Sequence, residues 1–265
     1  MQKKTAPTKA RSGARLGQHF LTRPEIAGWV ADAIPLTHDS VVLEIGPGHG
    51  ILTRELLMRA GKVVAIEKDS ALVAELRNTF ATEIERGQLT LIDQDIRDFD
   101  PSQYPILGTR YSVLANIPYY LTGYIIRKFL TVRLQPVAMA LLIQKEVAER
   151  IVARDGKHSL LSLSVHAYGT PRIMHIVKAG AFSPPPKVDS AVLSITEISR
   201  DRFTSTLHEE TFYTVLHTAF GSKRKQVGST LSTLMNTKTL EAAGIPKTAR
   251  PEDVRLEEWI CASCF

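Results

Sequence analysis

Hydrophobic residues along this chain follow two alternating rhythms: short unbroken apolar runs, and stripes spaced three or four residues apart. Thr22-Arg23-Pro24-Glu25 has the capping-box pattern with proline in the first turn. A helix is expected after it, with Ile26, Trp29, Val30 and Ala33 on the buried face. Val41–Ile45 is an apolar run and reads as a buried strand. Leu52–Ala60 reads as a helix closed by Gly61. The rhythm repeats: strand Val63–Ile66, helix Ser70–Phe80, strand Leu89–Ile92, strand Tyr111–Ala115, helix Tyr124–Leu130, strand Val137–Ile143, helix Lys145–Ala153. Apolar strands alternating with helices mean an α/β fold, a parallel sheet covered on both faces.

The rhythm changes at Pro184-Pro185-Pro186, a stiff extended segment. Val188–Ile195 alternates like a last strand and is expected to form an antiparallel edge. From Ser199 onward only helical spacing remains: Phe212, Val215, Leu216 and Ala219, then Leu231 and Leu234, then Val254 and Trp259. This predicts a boundary near 198, between an α/β domain over 15–198 and a small all-helical domain over 199–265.

Charge adds a partner class. The 265 residues carry a net charge of +6, and the sequence pI is near 9.3, which permits a polyanionic partner. Residues 1–14 read as a basic flexible arm; Lys3, Lys4, Lys9, Arg11 and the following Arg15 stand there without an acid or the apolar core of a signal peptide. An acid-free basic arm also has the charge of a mitochondrial presequence, but lacks the apolar residues for an amphipathic face. No apolar run approaches a membrane span. The two cysteines, Cys261 and Cys264, have no second pair to complete a zinc site, so no metal is expected and they read as incidental thiols of a reducing compartment.

The candidate chemistry sits at the strand ends. Gly46-x-Gly48-x-Gly50 follows a strand and opens a helix, which suits close approach of a ligand to backbone. A dinucleotide fingerprint wants glycine where Ile51 stands, and this disfavours a dehydrogenase. Glu44 is an acid inside an apolar strand and needs a partner there, such as an ammonium or backbone amides. Glu67, at the next strand end, is placed to accept ribose hydroxyls, and Asp95, after the third, to accept an adenine amine. Each acid alone reads as a surface carboxylate; three in neighbouring corners beside a glycine turn read as a nucleoside site. Asn116-Ile117-Pro118-Tyr119 follows the fourth strand. The Asn116 side-chain oxygen and the Ile117 carbonyl, set by Pro118, can accept both hydrogens of a nucleobase amine. Tyr119 offers a stacking face for a flipped base.

These motifs, taken in order, closely resemble the small-subunit rRNA adenine N6,N6-dimethyltransferases. The resemblance runs from about Arg15 to at least Leu231. It is carried by Gly17-Gln18-His19-Phe20-Leu21, Glu44 to Thr53, Asn116 to Tyr119, Leu142 to Val147, Phe182 to Ser190, and Ala219-Phe220 followed by Lys223-Arg224-Lys225. It implies a Rossmann-like class I methyltransferase sheet and S-adenosylmethionine as methyl donor. It implies two adjacent adenosines near the 3′ end of 16S rRNA as targets, within a pre-ribosomal particle of the cytoplasm, each methylated twice. The residues matching the family's cofactor contacts are His19, Leu21, Gly46, Glu67, Asp95 and Asn116; the family's usual residue at position 19 is asparagine, and histidine keeps a hydrogen-bonding side chain. Gly48 and Glu44 join this set from the turn. Phe182 stands where the second wall of a base sandwich would face Tyr119; a core phenylalanine is the equal alternative. Lys223, Arg224 and Lys225 are expected to meet rRNA phosphates, and a monomer is the expected state. Two rivals are the large-subunit rRNA adenine methyltransferases of macrolide resistance and a binding-only assembly factor. Gln144-Lys145-Glu146-Val147 and the Pro-Pro-Pro-Lys-Val-Asp run favour the small-subunit group.

Overall fold

The computed structural model describes residues 19–153, 156–222 and 225–264. The basic arm expected over 1–14, and Lys223 and Arg224 of the basic run, lie outside the described residues.

The expected alternation is present. β1 (Phe20–Leu21) leads to helix α1 (Pro24–Ala31), then β2 (Val41–Ile45), α2 (Ile51–Leu57), β3 (Lys62–Glu67), α3 (Ser70–Thr79), α4 (Ala81–Glu85) and β4 (Leu89–Asp93). β5 (Ser112–Asn116), α5 (Thr122–Thr131), β6 (Ala138–Gln144), α6 (Lys145–Val152), α7 (Leu160–His166) and β7 (Thr170–Val177) follow. They are succeeded by β8 (Phe182–Ser183) and β9 (Ser190–Thr196). The long strands form one seven-stranded sheet in the order β4-β3-β2-β5-β6-β9-β7, while β1 pairs with β8 in a separate ribbon. Neighbours from β4 through β6 are parallel, and β9 runs antiparallel to both β6 and β7. The central strands β2, β5 and β6 are apolar on both faces because helices cover both.

Two expectations need correction here. The strand near Val188–Ile195 is antiparallel but is not the edge; β9 is inserted between β6 and β7. The true edge is β7, unread in the sequence because Pro171 breaks its pattern and Arg172, Met174, His175 and Ile176 leave much of it polar or exposed. A register shift between Ile173 and His175 further disturbs its alternation. Trp29, expected in the core, is 36% exposed and stacks on His175 of that edge, ring centroids 4.7 Å apart. It lies at the margin of the stripe that Ile26, Ala27, Val30 and Ala31 bury.

After Ser199 the described elements are helical: α8 (Thr206–Phe220), α9 (Val227–Thr230), α10 (Thr237–Ala242) and α11 (Leu256–Ala262). Phe212, Leu216 and the fully buried Trp259 belong to the same apolar cluster as Phe129 of α5 and Leu163 of α7. A polar clasp fixes the junction. Arg200 donates to Glu209 and to the carbonyls of Thr131 and Val132, and the Tyr168 hydroxyl donates to Glu209. Leu234, read with Leu231 as helical spacing, lies beyond the end of α9 at Thr230 and is 46% exposed. Cys261 and Cys264 are free thiols. No helix among the described residues is long and apolar enough to cross a membrane.

Candidate active site

The sheet order reverses between β2 and β5, which opens a crevice at the carboxyl ends of these strands. Ile45 is level with Ile66 on one side and Ala115 on the other, so the next step brings Gly46 level with Glu67 and Asn116. One cleft there is lined by His19, Leu21, Gly46, Gly48, Glu67, Asp95, Asn116, Pro118 and Tyr119, among others. Residues far apart in sequence meet because parallel strands end in one row.

The glycine turn is held by sterics and by one acid. Gly48 has φ +58, and a Cβ there would sit 3.2 Å from the Phe20 ring; a Cβ on Gly50, at φ +79, would come within 2.5 Å of Phe80. Phe20 in turn packs on the His49 ring at 4.8 Å. Glu67 is buried, and its Oε1 accepts from the amides of Lys68 (2.9 Å) and Asp69 (3.0 Å). Among the described residues Oε2 accepts only one longer bond, from the Gly48 amide at 3.3 Å, and keeps lone pairs toward the cleft. Asp95 is gripped by Arg97, whose Nε donates to Oδ1 at 3.1 Å and Nη2 to Oδ2 at 2.7 Å. This guanidinium fork holds the carboxyl down at about 2, well below its ordinary value.

The second half of the cleft is tied together by long-range bonds. The Asn116 amide nitrogen donates to the His19 carbonyl at 3.3 Å, and that leaves Oδ1 as an open acceptor. Pro118 holds φ −55 and ψ 133 just before the turn Tyr119–Leu121. The Tyr119 hydroxyl shares a 2.7 Å hydrogen bond with Ser190, and burial pushes this phenol up, so it stays neutral. The His19 ring lies 5.7 Å from Tyr119, and its Nδ1 bonds the Pro184 carbonyl at 2.7 Å.

Two sequence expectations are corrected by this geometry. Glu44 does not line the cleft. It is fully buried beneath the turn, where Thr53 of α2 donates to its Oε2 at 2.7 Å and Oε1 finds no partner among the described residues. Burial first, and then the charge of Glu67, pushes its carboxyl up to about 8. Its Thr53 bond ties strand to helix. Phe182 does not line the cleft either; it is buried in the core beside Leu21, to which it pairs in the β1–β8 ribbon. Its alternative reading, a core phenylalanine, fits the structure. Lys225 is exposed, away from the cleft lining. Sequence reasoning missed Arg97, although its Asp-x-Arg spacing from Asp95 was readable. It also missed Phe20 and His49 as cleft walls and Ser190 as the anchor of Tyr119.

The family model for ribosomal RNA adenine dimethylase matches residues 10–263. The chain belongs to that family. It is 38% identical over 259 residues to "Ribosomal RNA small subunit methyltransferase A" of Dehalococcoides mccartyi, a match that covers 95% of this chain and 86% of that one. The protein of the same name from Clostridium acetobutylicum is 36% identical and covered to 91%, over 94% of this chain. Two solved structures share the fold: a dimethyladenosine transferase from Plasmodium falciparum (TM-score 0.75, 23% identity, 92% of this chain and 96% of that one) and the 23S rRNA methyltransferase ErmE (TM-score 0.74, 24% identity, 92% and 98%). This dimethylase is an S-adenosylmethionine-dependent rRNA adenine methyltransferase with the class I sheet. The cleft suits that cofactor: a glycine turn free of side chains, an acid with spare lone pairs at the next strand end, a second acid beyond it, and apolar walls from Leu21, Ile66 and Ile96.

Proposed function

We propose that this dimethylase transfers methyl groups to N6 of two adjacent adenosines near the 3′ end of 16S rRNA, within a small-subunit precursor particle, and so takes part in small-subunit biogenesis. The observation that carries this reading is the state of Asn116: one amide hydrogen goes to the His19 carbonyl, which orients the side chain, and its oxygen meets no donor among the described residues at the cleft. Gly46, Gly48, Leu21 and His19 would frame the cofactor, Glu67 would accept its ribose hydroxyls and Asp95 its adenine amine. When bound, the cofactor supplies an electrophilic methyl on sulfonium sulfur.

An adenine N6 is a weak nucleophile because its lone pair is delocalised into the ring. Asn116 Oδ1 and the Ile117 carbonyl would each accept one N6 hydrogen, pull the amine toward tetrahedral geometry and localise that pair. Tyr119, fixed through Ser190, would stack on the flipped base. The extra proton of the methylated amine would pass to water. Catalysis is then positioning and electrostatics, with no covalent enzyme intermediate.

Residues 15–198 would do the chemistry, and 199–265 would contact rRNA, with Lys223, Arg224 and Lys225 on phosphates. The protein is proposed to work as a cytoplasmic monomer. Methyl transfer from labelled S-adenosylmethionine to undermodified small particles, with large particles alongside, tests the reading. Dimethyladenosine in the small particle alone, lost in Asn116→Ala, is the expected result. Label in the large particle would move the target to the other subunit. Tight binding without transfer would leave only an assembly role.

A further inference from the structure

We infer that the groove between α5, α7 and α8 is a second RNA contact, which takes an unstacked nucleotide of the substrate strand with its phosphate on Arg127 and Arg150. This rests on the reading of the neighbouring cleft as the methyl-transfer site.

The groove has an apolar floor of Ile126, Leu160 and Leu161 and a rim of Arg127, Arg150 and His217, with no acid in its lining. All three rim residues are exposed. Several guanidinia elsewhere are neutralised: Arg59 by Asp32 and Glu55, Arg97 by Asp95, Arg200 by Glu209, Arg255 by Glu258. Arg127 and Arg150 have no such carboxylate among the described residues. Tyr213 and Ser164 also line the groove. Two open guanidinia suit a phosphodiester, which they can hold bidentately. An apolar floor with a tyrosine suits the face of an unpaired base.

Position ties the groove to the reaction. Leu121 lines the methyl-transfer cleft, and Gly123, two residues on, lines the groove. Gly123 leaves that end open; a Cβ there would meet nothing within 4 Å. Arg127 follows four residues later on the same face of α5, about 6 Å along the axis. A strand that delivers a base to Asn116 therefore finds the groove about one helical turn away, past an opening with no side chain. The groove would set the register of the strand.

The test uses the full-length protein with Arg127→Gln and Arg150→Gln combined, and equilibrium binding to undermodified small ribosomal particles across a range of NaCl. The double variant is expected to bind about ten-fold more weakly at moderate salt, with the slope of log affinity against log salt reduced by roughly 1.5 to 2. S-adenosylmethionine affinity should stay at the wild-type value. The paired Arg→Lys variant should recover the slope but only part of the affinity. Unchanged affinity and slope in the Gln variant would overturn the inference. So would micromolar binding of adenosine monophosphate that the variant loses while particle binding is unaffected, since the occupant would then be a free nucleotide. Should the wild-type protein prefer another ribosomal particle, the same curves are taken there and the lost charge is read in the same way.

Discussion

The two halves of the cleft are built by opposite means. On the β2–β3–β4 side each acid is held by its own corner. Glu67 accepts from the amides of Lys68 and Asp69, and Asp95 from the side chain of Arg97, one or two residues away. On the β5 side the contacts span the chain. Asn116 reaches the carbonyl of His19 across 97 residues, Tyr119 reaches Ser190 across 71, and His19 reaches Pro184 across 165. On the first side most of the hydrogen bonds that hold the acids form within one turn, although Glu67 also accepts from the Gly48 amide 19 residues away. The β5 side, proposed to hold the base, exists only once three distant segments have docked, so it is the more open to distant substitutions.

Asn116→Ala breaks the base-holding half directly. Loss of one preorganised contact at the reacting group should lower the transfer rate by about 10²–10³-fold, with cofactor affinity less affected. Single-turnover methylation beside equilibrium cofactor binding measures the split. Glu67→Ala breaks the other half. Loss of charge-assisted hydrogen bonds should weaken cofactor binding by about 10- to 100-fold, read by calorimetry, with the rate at saturating cofactor changed less. If both variants lowered both quantities equally, the division of the cleft would be wrong.

Ser190→Ala tests whether the long-range tether matters by itself. One neutral hydrogen bond is lost, so the rate should fall by about 2- to 10-fold while cofactor affinity holds. Glu44→Gln tests the brace under the turn. The Glu44 carboxyl sits at about 8 in the fold, above its ordinary 4.5, so unfolding releases its proton between those values. Its contribution to stability therefore falls as pH rises from about 4.5 to 8 and levels off above. The wild-type unfolding free energy should carry a declining component of up to about 1.4 kcal/mol per pH unit in that window, which the glutamine variant lacks. Denaturant titrations at pH 5 and 7.5 decide this. The smallest effect is expected from Arg97→Ala. Without the fork, Asp95 should titrate nearer its ordinary 3.8 than the present value of about 2, followed by carboxyl NMR. The stabilisation the pair provides is complete above pH 3.8 and is lost as pH falls toward 2, so the variant should lose stability at neutral pH, by an amount that solvent screening of the exposed Arg97 keeps small, and should match the wild type below pH 2.

The same contrast explains what could be read in the sequence. β2, β3, β5 and β6 were legible because strands buried on both faces are apolar runs. The corner acids and the glycine turn were legible because each directly follows an apolar strand, where a parallel sheet presents its ligand-binding edge. β7 was not, since an edge strand with Pro171 and four polar or exposed positions has no clean period. α7 carried a start signal in Ser159, but its reciprocal cap at Ser162 is a serine where the familiar pattern has glutamate or glutamine. Trp29 went to the wrong surface because spacing along one element does not say which distant element covers it, and Phe182, left between a base wall and the core, lies in the core. Ser190 looked like an ordinary strand residue; only the packing of β9 beside β6 brings its hydroxyl to Tyr119.

The placement of the two tryptophans makes this molecule its own optical probe. Trp29 lies half open on the imidazole of His175 at the sheet margin, and Trp259 is sealed within the helices that follow Ser199. A small aqueous quencher should therefore dim the first emitter and spare the second. Their separated signals would show whether the sheet and the late helices come apart in one event or in two.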